Sequence, residues 1–429
     1  MGAGSIRPPE PAADFGPEPA AWVRQHALPL DSTDPAAPAT DLRPLGEATA
    51  PAVVVGVGGS SYGGHEHFTL GERIIRHLVE ERGFRTVATE EDWGFGRELD
   101  RYVLTGEGDL DALMATANLP WRTAEVRDVL RWLRRYNETH AEPVRFAGVG
   151  AFDTRPQLYD AVLAHVAKAA PAALAELTGH LSVLRPDRPG FVGWFIGQVA
   201  DKEPYVEHAR AALRLVEELP HEEGDEEHAW AVQDTRQILY FYEHYAHHLI
   251  DDGYRDARMA DNLRWWRERT GSRIVYWSTT AHSADAAQLA VAVPPRPALT
   301  FRTTGSHLRE HYGAGYLSIG LTFDRGTVNS GWSMPPFTAR PLPAPSGPAG
   351  FAERPLAEAG LPRYLLDLRG EVPPAVRAWL DAPAPTRIIG SIYDPEHQPA
   401  EAYRMSGGSL AGWFDLLVHC QELTPSQVL

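Results

Sequence analysis

Four places in the sequence gather side chains that could move a proton or fix a charge. The first is the turn Gly58-Gly-Ser-Ser-Tyr-Gly-Gly-His-Glu66, which sets Ser61, Tyr62, His65 and Glu66 close together. Within it, Gly59-Ser-Ser-Tyr-Gly63 matches the Gly-x-Ser-x-Gly elbow that exposes a nucleophilic serine between a strand and a helix. No Asp and His downstream stand out as partners for Ser61, and a small residue lining a tight turn is the plainer reading. The Tyr62 hydroxyl is a poor base at pH 7, but in a dry pocket it could polarise a carbonyl. The second place is Glu90-Glu-Asp-Trp93. Carboxylates this close push each other's pKa apart, which is one way a site obtains both an acid and a base; an acidic loop is the alternative. The third is Thr279-Thr-Ala-His-Ser283, where Thr279 and Thr280 either donate to a carbonyl or cap the following helix, with His282 beside them.

The fourth place is His244, His247 and His248, which share a face of a predicted helix. No carboxylate–histidine spacing completes a ligand set there, and His65-Glu66-His67 lacks the His-Glu-x-x-His spacing of a zinc helix. The glycine turn also lacks the lysine of a phosphate-binding loop. The sequence therefore predicts neither a metal nor a cofactor.

The elements that must position these residues can be read from periodicity. Val53–Val57 is a short β-branched run that ends in the glycine turn, as a buried strand does before a helix. Leu70, Ile74, Ile75, Leu78 and Val79 then fall on one helical face, which Gly83 ends. Phe84–Thr89 and Val144–Val149 read as further strands, with an amphipathic helix over Thr123–Tyr136 between them. Such alternation predicts an α/β fold: a mostly parallel central sheet flanked by helices. Residues 156–270 carry long helical periods and few strand signals, and read as a helical subdomain inserted over the carboxyl edge of the sheet. Strands return at Arg273–Ser278, Tyr316–Phe323, Tyr364–Arg369, Arg387–Gly390 and Trp413–His419, with a long loop over 333–350. The expected organisation is a disordered leader at 1–20, a first core segment at 21–155, the helical subdomain at 156–270 and a second core segment at 271–429.

Composition narrows the partners. A net charge of −17 opposes binding to nucleic acid, which needs a basic face. The single cysteine, Cys420, leaves no internal disulfide and fits a reducing cytoplasm. No apolar run is long enough to span a membrane, and residues 1–20 lack the pattern of a signal peptide. The expected partner is a small-molecule substrate.

Several ordered landmarks together resemble the erythromycin esterase family over roughly residues 45–429. They include the glycine turn with His65-Glu66, Arg73–Phe84, Glu90–Trp93, Tyr102–Gly106, Glu125–Asn137, Arg255–Asn262, Trp277–His282, Gly305–Gly313 and Phe414–His419. The resemblance implies a Glu/His hydrolase site on an α/β sheet with a helical subdomain. Members of that family carry Gly-Glu-x-x-His-Gly-x-x-Glu at the first turn; here Gly59 stands for the glutamate and Tyr62 for the histidine that serves as base. A second family motif, His-Asn-x-His, is Thr279-Thr-Ala-His282, and a third position, an Asp, falls on Gly150 with Asp153 nearby. Glu66, Arg73, Glu90, Arg258 and His282 remain.

The resemblance thus implies that Glu90, Glu66 and His282 handle protons while Tyr62 orients a carbonyl. Arg73 and Arg258 would hold the carboxylates, and His65, Ser61, Thr279 and Trp93 would line the substrate. With the usual base absent, the leading expectation is acid/base chemistry on a natural-product-like molecule: cyclisation, elimination or isomerisation. The alternatives are a hydrolase of an ester, lactone or amide with a rearranged base or a serine nucleophile, and an inactive ligand-binding protein.

Overall fold

The protein is described by a computed structural model over residues 14–249 and 252–429. The first thirteen residues of the expected leader lie outside the described residues; its end is ordered, with a helix over Glu18–His26 that buries Trp22 and Val23. The chain divides into two compact units. The larger runs up to Arg85 and adds Met114–Trp132 and Ser272–Leu429; the smaller consists of Thr86–Leu113 and Leu133–Gly271.

The larger unit carries β1 (Leu28–Pro29), β2 (Val54–Gly59), β5 (Arg273–Thr279), β8 (Tyr316–Ser330), β9 (Arg340–Ala344), β10 (Arg363–Asp367) and β13 (Leu416–Leu423). Here β13, β8, β2 and β5 lie side by side and parallel, and β10 and β1 extend the sheet antiparallel beyond β13. Val54, Val55 and Val57 of β2 are fully buried, the near-continuous apolar pattern of a parallel strand covered on both faces. The helix His65–Arg82 follows β2 and buries the predicted face, Leu70, Ile74, Ile75, Leu78 and Val79. Gly83 ends it in the left-handed region at φ +70°. In the larger unit a second sheet, β11 (Thr386–Arg387), β12 (Arg404–Ser406), β6 (Leu289–Ala292) and β7 (Leu299–Phe301), is antiparallel throughout.

The smaller unit holds a parallel pair, β3 (Phe84–Asp92) with β4 (Arg145–Gly150), and the helical stretch expected over 156–270. A tryptophan cluster fills part of its core: Trp93 lies 5.4–5.9 Å, centroid to centroid, from Trp230, Trp265 and Trp266. The protein is thus α/β with mostly parallel strands.

Three strand expectations shift. Arg387–Gly390 contributes only β11, which belongs to the small antiparallel sheet. The closing strand begins at Leu416, because Ser409 caps a short helix over Leu410–Trp413 by accepting the Gly412 N–H at 3.2 Å. The long loop at 333–350 contains β9, which pairs with the far end of β8. Its Pro341 and Pro343 alternate along that pairing, as edge strands allow.

Candidate functional site

The glycine turn is shaped by two other backbone segments rather than by space for a ligand. A Cβ on Gly63 would sit 1.8 Å from the Asn329 carbonyl oxygen, so no other residue fits. The Gly63 carbonyl accepts N–H bonds from Asn329 at 3.0 Å and from Ser426 at 2.9 Å. The C-terminal tail continues over the helix start: the His65 N–H donates to the Thr424 carbonyl at 2.8 Å, and Gly64 bridges to Pro425.

This tail takes up two of the expected site residues. Both oxygens of Glu66 accept from Thr424, from its N–H and its hydroxyl, each at 2.7 Å. Glu66 therefore fastens the tail and pairs with neither Arg73 nor Arg258. His65 Nδ1 lies 2.7 Å from Glu125, whose carboxylate also accepts the Gln427 N–H at 3.0 Å. Glu125 raises the His65 pKa above its ordinary value, and His65 helps hold the Glu125 pKa low against the opposing effect of burial.

The other expected residues also have defined neighbours. Arg73 is fully buried, gripping Asp41 through two bonds of 2.8 and 2.9 Å and the carbonyls of Ser32 and Pro38. It holds the N-terminal segment in place of a site carboxylate. Arg258 pairs with Asp261 at 3.1 Å and stacks over Tyr240 and Tyr254. Ser61 Oγ accepts the Gly63 N–H at 3.1 Å, a turn-stabilising bond. The Tyr62 ring meets Trp121 edge-on at 5.7 Å. Thr279, buried, is the register partner of Gly59 at the carboxyl ends of β5 and β2. His282 is half-buried with its ring 6.1 Å from that of Phe301.

In the smaller unit, Glu90, Glu91 and Asp92 are buried at the carboxyl end of β3. Burial, and then the charge of Asp153, push the Asp92 carboxyl well above the ordinary carboxylate range. Asp92 also caps the next helix by accepting the Gly94 N–H at 2.9 Å. Trp93 donates its indole N–H to Asp234 at 2.9 Å and is core. On the helical histidine face, His247 pairs with Glu203 at 3.1 Å and His248 stacks on Tyr254 at 4.1 Å. Among the described residues, no three His, Cys, Asp or Glu side chains gather as a metal would need.

A different set converges where β2 and β5 end beside the middle of β8. Ser60, Thr280, Thr322 and Thr386 surround a cavity closed by Glu353, Arg387, Phe323 and Phe414. Its free volume is about 10 Å³, room for roughly one water molecule. Three polar atoms of its lining meet no hydrogen-bond partner among the described residues: Ser60 Oγ, Thr280 Oγ1 and Glu353 Oε2. The other Glu353 oxygen is fixed, accepting the Arg387 N–H and Nε–H at 3.0 Å each. Arg387 is held in turn by the carbonyls of Pro345 and Phe323 and stacks on the Phe323 ring. Buried polar atoms without partners are costly, so a carboxylate oxygen and two hydroxyls around a water-sized space form a site for a polar occupant.

Two buried histidines stand beside it. His419 Nδ1 lies 3.0 Å from Thr322 Oγ1, and the His67 ring meets Phe323 edge-on at 5.7 Å. Burial pushes His67 down to about 4 and His419 down to about 3, with Arg387 lowering both. Both rings are neutral at pH 7. Of this set, the sequence reading named only Thr280; Glu353 and Arg387 sit in motif-free stretches, and no sequence signal joins them to Ser60.

Comparisons with known proteins bear on this geometry. The sequence profile described as erythromycin esterase matches residues 79–423, beginning near the end of the helix that follows the glycine turn. A curated relative, the erythromycin esterase type II of Escherichia coli, is 27% identical over 128 residues, covering 30% of this chain and 30% of that protein. A solved structure from Bacillus cereus superposes with a TM-score of 0.84 at 27% identity, covering 97% of this chain and 100% of its own. A succinoglycan biosynthesis protein gives 0.80 at 23% identity, over 97% and 100% of the two chains. An erythromycin esterase mutant, EreC in its open conformation, gives 0.68 at 15% identity, over 90% and 94%. The last two likenesses are of fold.

Proposed function

This chain belongs to the erythromycin esterase family, and we propose that it hydrolyses an ester or lactone in a small, natural-product-like molecule. The observation that carries this reading is the water-sized space bordered by Glu353 Oε2, Ser60 Oγ and Thr280 Oγ1. A carboxylate with one oxygen anchored by Arg387 and the other without a partner beside a water-sized space would be a general base within reach of a water bound there. In the step we infer, the buried lining opens to admit the substrate, and Glu353 takes a proton from a water as its oxygen adds to the substrate's carbonyl carbon. Collapse of the adduct breaks the C–O bond, and the departing alkoxide receives the proton Glu353 holds. The Ser60 and Thr280 hydroxyls orient the water. The neutral His67 and His419 add no further positive charge to that of Arg387 beside the carboxylate, and they are too weakly basic to replace it.

A second reading, cyclisation, elimination or isomerisation without net water, is favoured by one observation: Gly59, Tyr62 and Thr279 stand where the family carries glutamate and histidines. The two readings separate in ¹⁸O-water with aryl esters and macrolide lactones as substrates. Hydrolysis delivers acid product carrying the ¹⁸O label, whereas product without the label selects the second reading. Ligand retained with no product selects a binding protein. Glu353→Gln should lower hydrolysis by about two orders of magnitude, the scale lost when a group acting in the transition state is removed. Thr280→Val, which leaves the Arg387 pairing intact, should give a smaller fall. Unchanged turnover in both variants overturns the assignment of the base.

A further inference from the structure

The smaller unit contains a second, larger cavity that the chemistry above does not use. It measures about 550 Å³, within the size range of small-molecule sites. Its floor is two buried acids, each holding an arginine outward. Asp234 pairs with Arg97, and Asp100 holds Arg145 through bonds of 2.9 and 2.6 Å. Both acids are nearly inaccessible, while the arginine side chains are about one third exposed. Arg97 stacks over Trp230 at 4.9 Å, so the guanidinium plane and an indole lie together at the cavity wall. Arg101 also lines the cavity from an exposed position, with the charge of Glu98 near enough to be felt. Leu104, Ala161 and Ala164 supply an apolar side.

The charges are unusual for this chain. Four cations (Arg97, Arg101, Arg145, Lys168) against three acids (Asp100, Glu227, Asp234) leave the lining at +1, in a protein of net charge −17. Two of those acids lie beneath their arginines, so the accessible surface is more positive than the count. Guanidinium groups held in fixed orientation suit planar, bidentate recognition of a carboxylate. Arg145 opens β4, whose other end at Gly150 pairs with Asp92. At strand spacing, the cavity therefore lies roughly 16 Å along β4 from the carboxyl ends of this strand pair.

We propose that this cavity is a second ligand site, for a small aromatic carboxylate: the anion on Arg101 and the outward faces of Arg97 and Arg145, the ring against Trp230. The probe is 2-naphthoate, titrated calorimetrically into the full-length protein, with neutral 2-naphthamide as control. Saturable binding of naphthoate is expected, with the amide weaker by about tenfold or more, the scale of a lost charge-assisted bond. Naphthoate affinity should fall as salt rises, because the site is open to solvent. Arg101→Glu, an exposed change, should weaken naphthoate to a similar degree without altering the thermal midpoint. Phenyl phosphate in parallel distinguishes the anion: equal or tighter binding of it overturns the carboxylate assignment. No saturable naphthoate binding, equal binding of the amide, or an Arg101→Glu variant that binds like the parent overturns the site.

Discussion

Arg73 and Glu353 are both buried and charged, yet they differ in what remains unsatisfied. The two terminal nitrogens of Arg73 meet Asp41 and two carbonyls, leaving only its Nε–H without a partner, so the Asp41 carboxylate is fully engaged in structure. Glu353 is tied through one oxygen and leaves the other facing a space with two hydroxyls. The two residues should therefore fail in different ways. Arg73→Ala leaves Asp41 buried without its cation and should cost about 3 kcal/mol of stability, read as an earlier midpoint in urea. Whatever protein remains folded should keep its turnover per molecule. Glu353→Gln should lose turnover as well as stability, because Arg387 is left buried without its anion, whereas Thr280→Val should lower turnover with the midpoint little changed. Glu66 belongs with Arg73 here. Its bonds to Thr424 explain why a glutamate placed in the active centre by its position in the turn is instead a fastener.

At the scale of elements, the tail Thr424–Leu429 and the start of the helix His65–Arg82 form one unit of stability. The Thr424 carbonyl takes up the His65 N–H at the helix start, and Glu66 and Glu125, the latter paired with His65, hold the tail through Thr424 and Gln427. Removing residues 424–429 should lower the thermal midpoint by several degrees, measured by circular dichroism. The His65–Glu125 pair adds a pH dependence with a definite sign. His65 is raised above its ordinary 6.5 in the folded state, so its contribution is fully present below 6.5 and fades as pH rises through the raised value. His65→Gln should therefore flatten the decline in midpoint on the alkaline side of neutrality; an unchanged profile would show that the pair does not couple to folding. The turn itself illustrates how a motif misleads. Its glycines match several loop signatures, but Gly63 is glycine because Asn329 and Ser426 press against it.

For the whole molecule, acid should be destabilising, because His67 and His419 are buried neutral. In the unfolded chain each takes a proton near 6.5; folded, they do so only at about 4 and about 3. The unfolded state thus binds more protons across that window, and stability should drop as pH falls from 6.5 towards 4. A His419→Asn variant should lose part of that slope in midpoint-versus-pH measurements. The sequence by itself determined the α/β class, the helical stretch over 156–270, the family, and the absence of glutamate and histidine at Gly59 and Tyr62. These are local facts: hydrophobic period, glycine punctuation and residue identity at aligned positions survive without knowledge of partners. Only the tertiary structure decided that Glu66 meets Thr424, that Arg73 meets Asp41, and that Ser60, Thr280 and Glu353 share one cavity. The physical reason is range. Burial and pairing of a charge depend on segments tens to hundreds of residues away, and nothing in the stretch around Glu353 reveals that β2 and β5 end beside it.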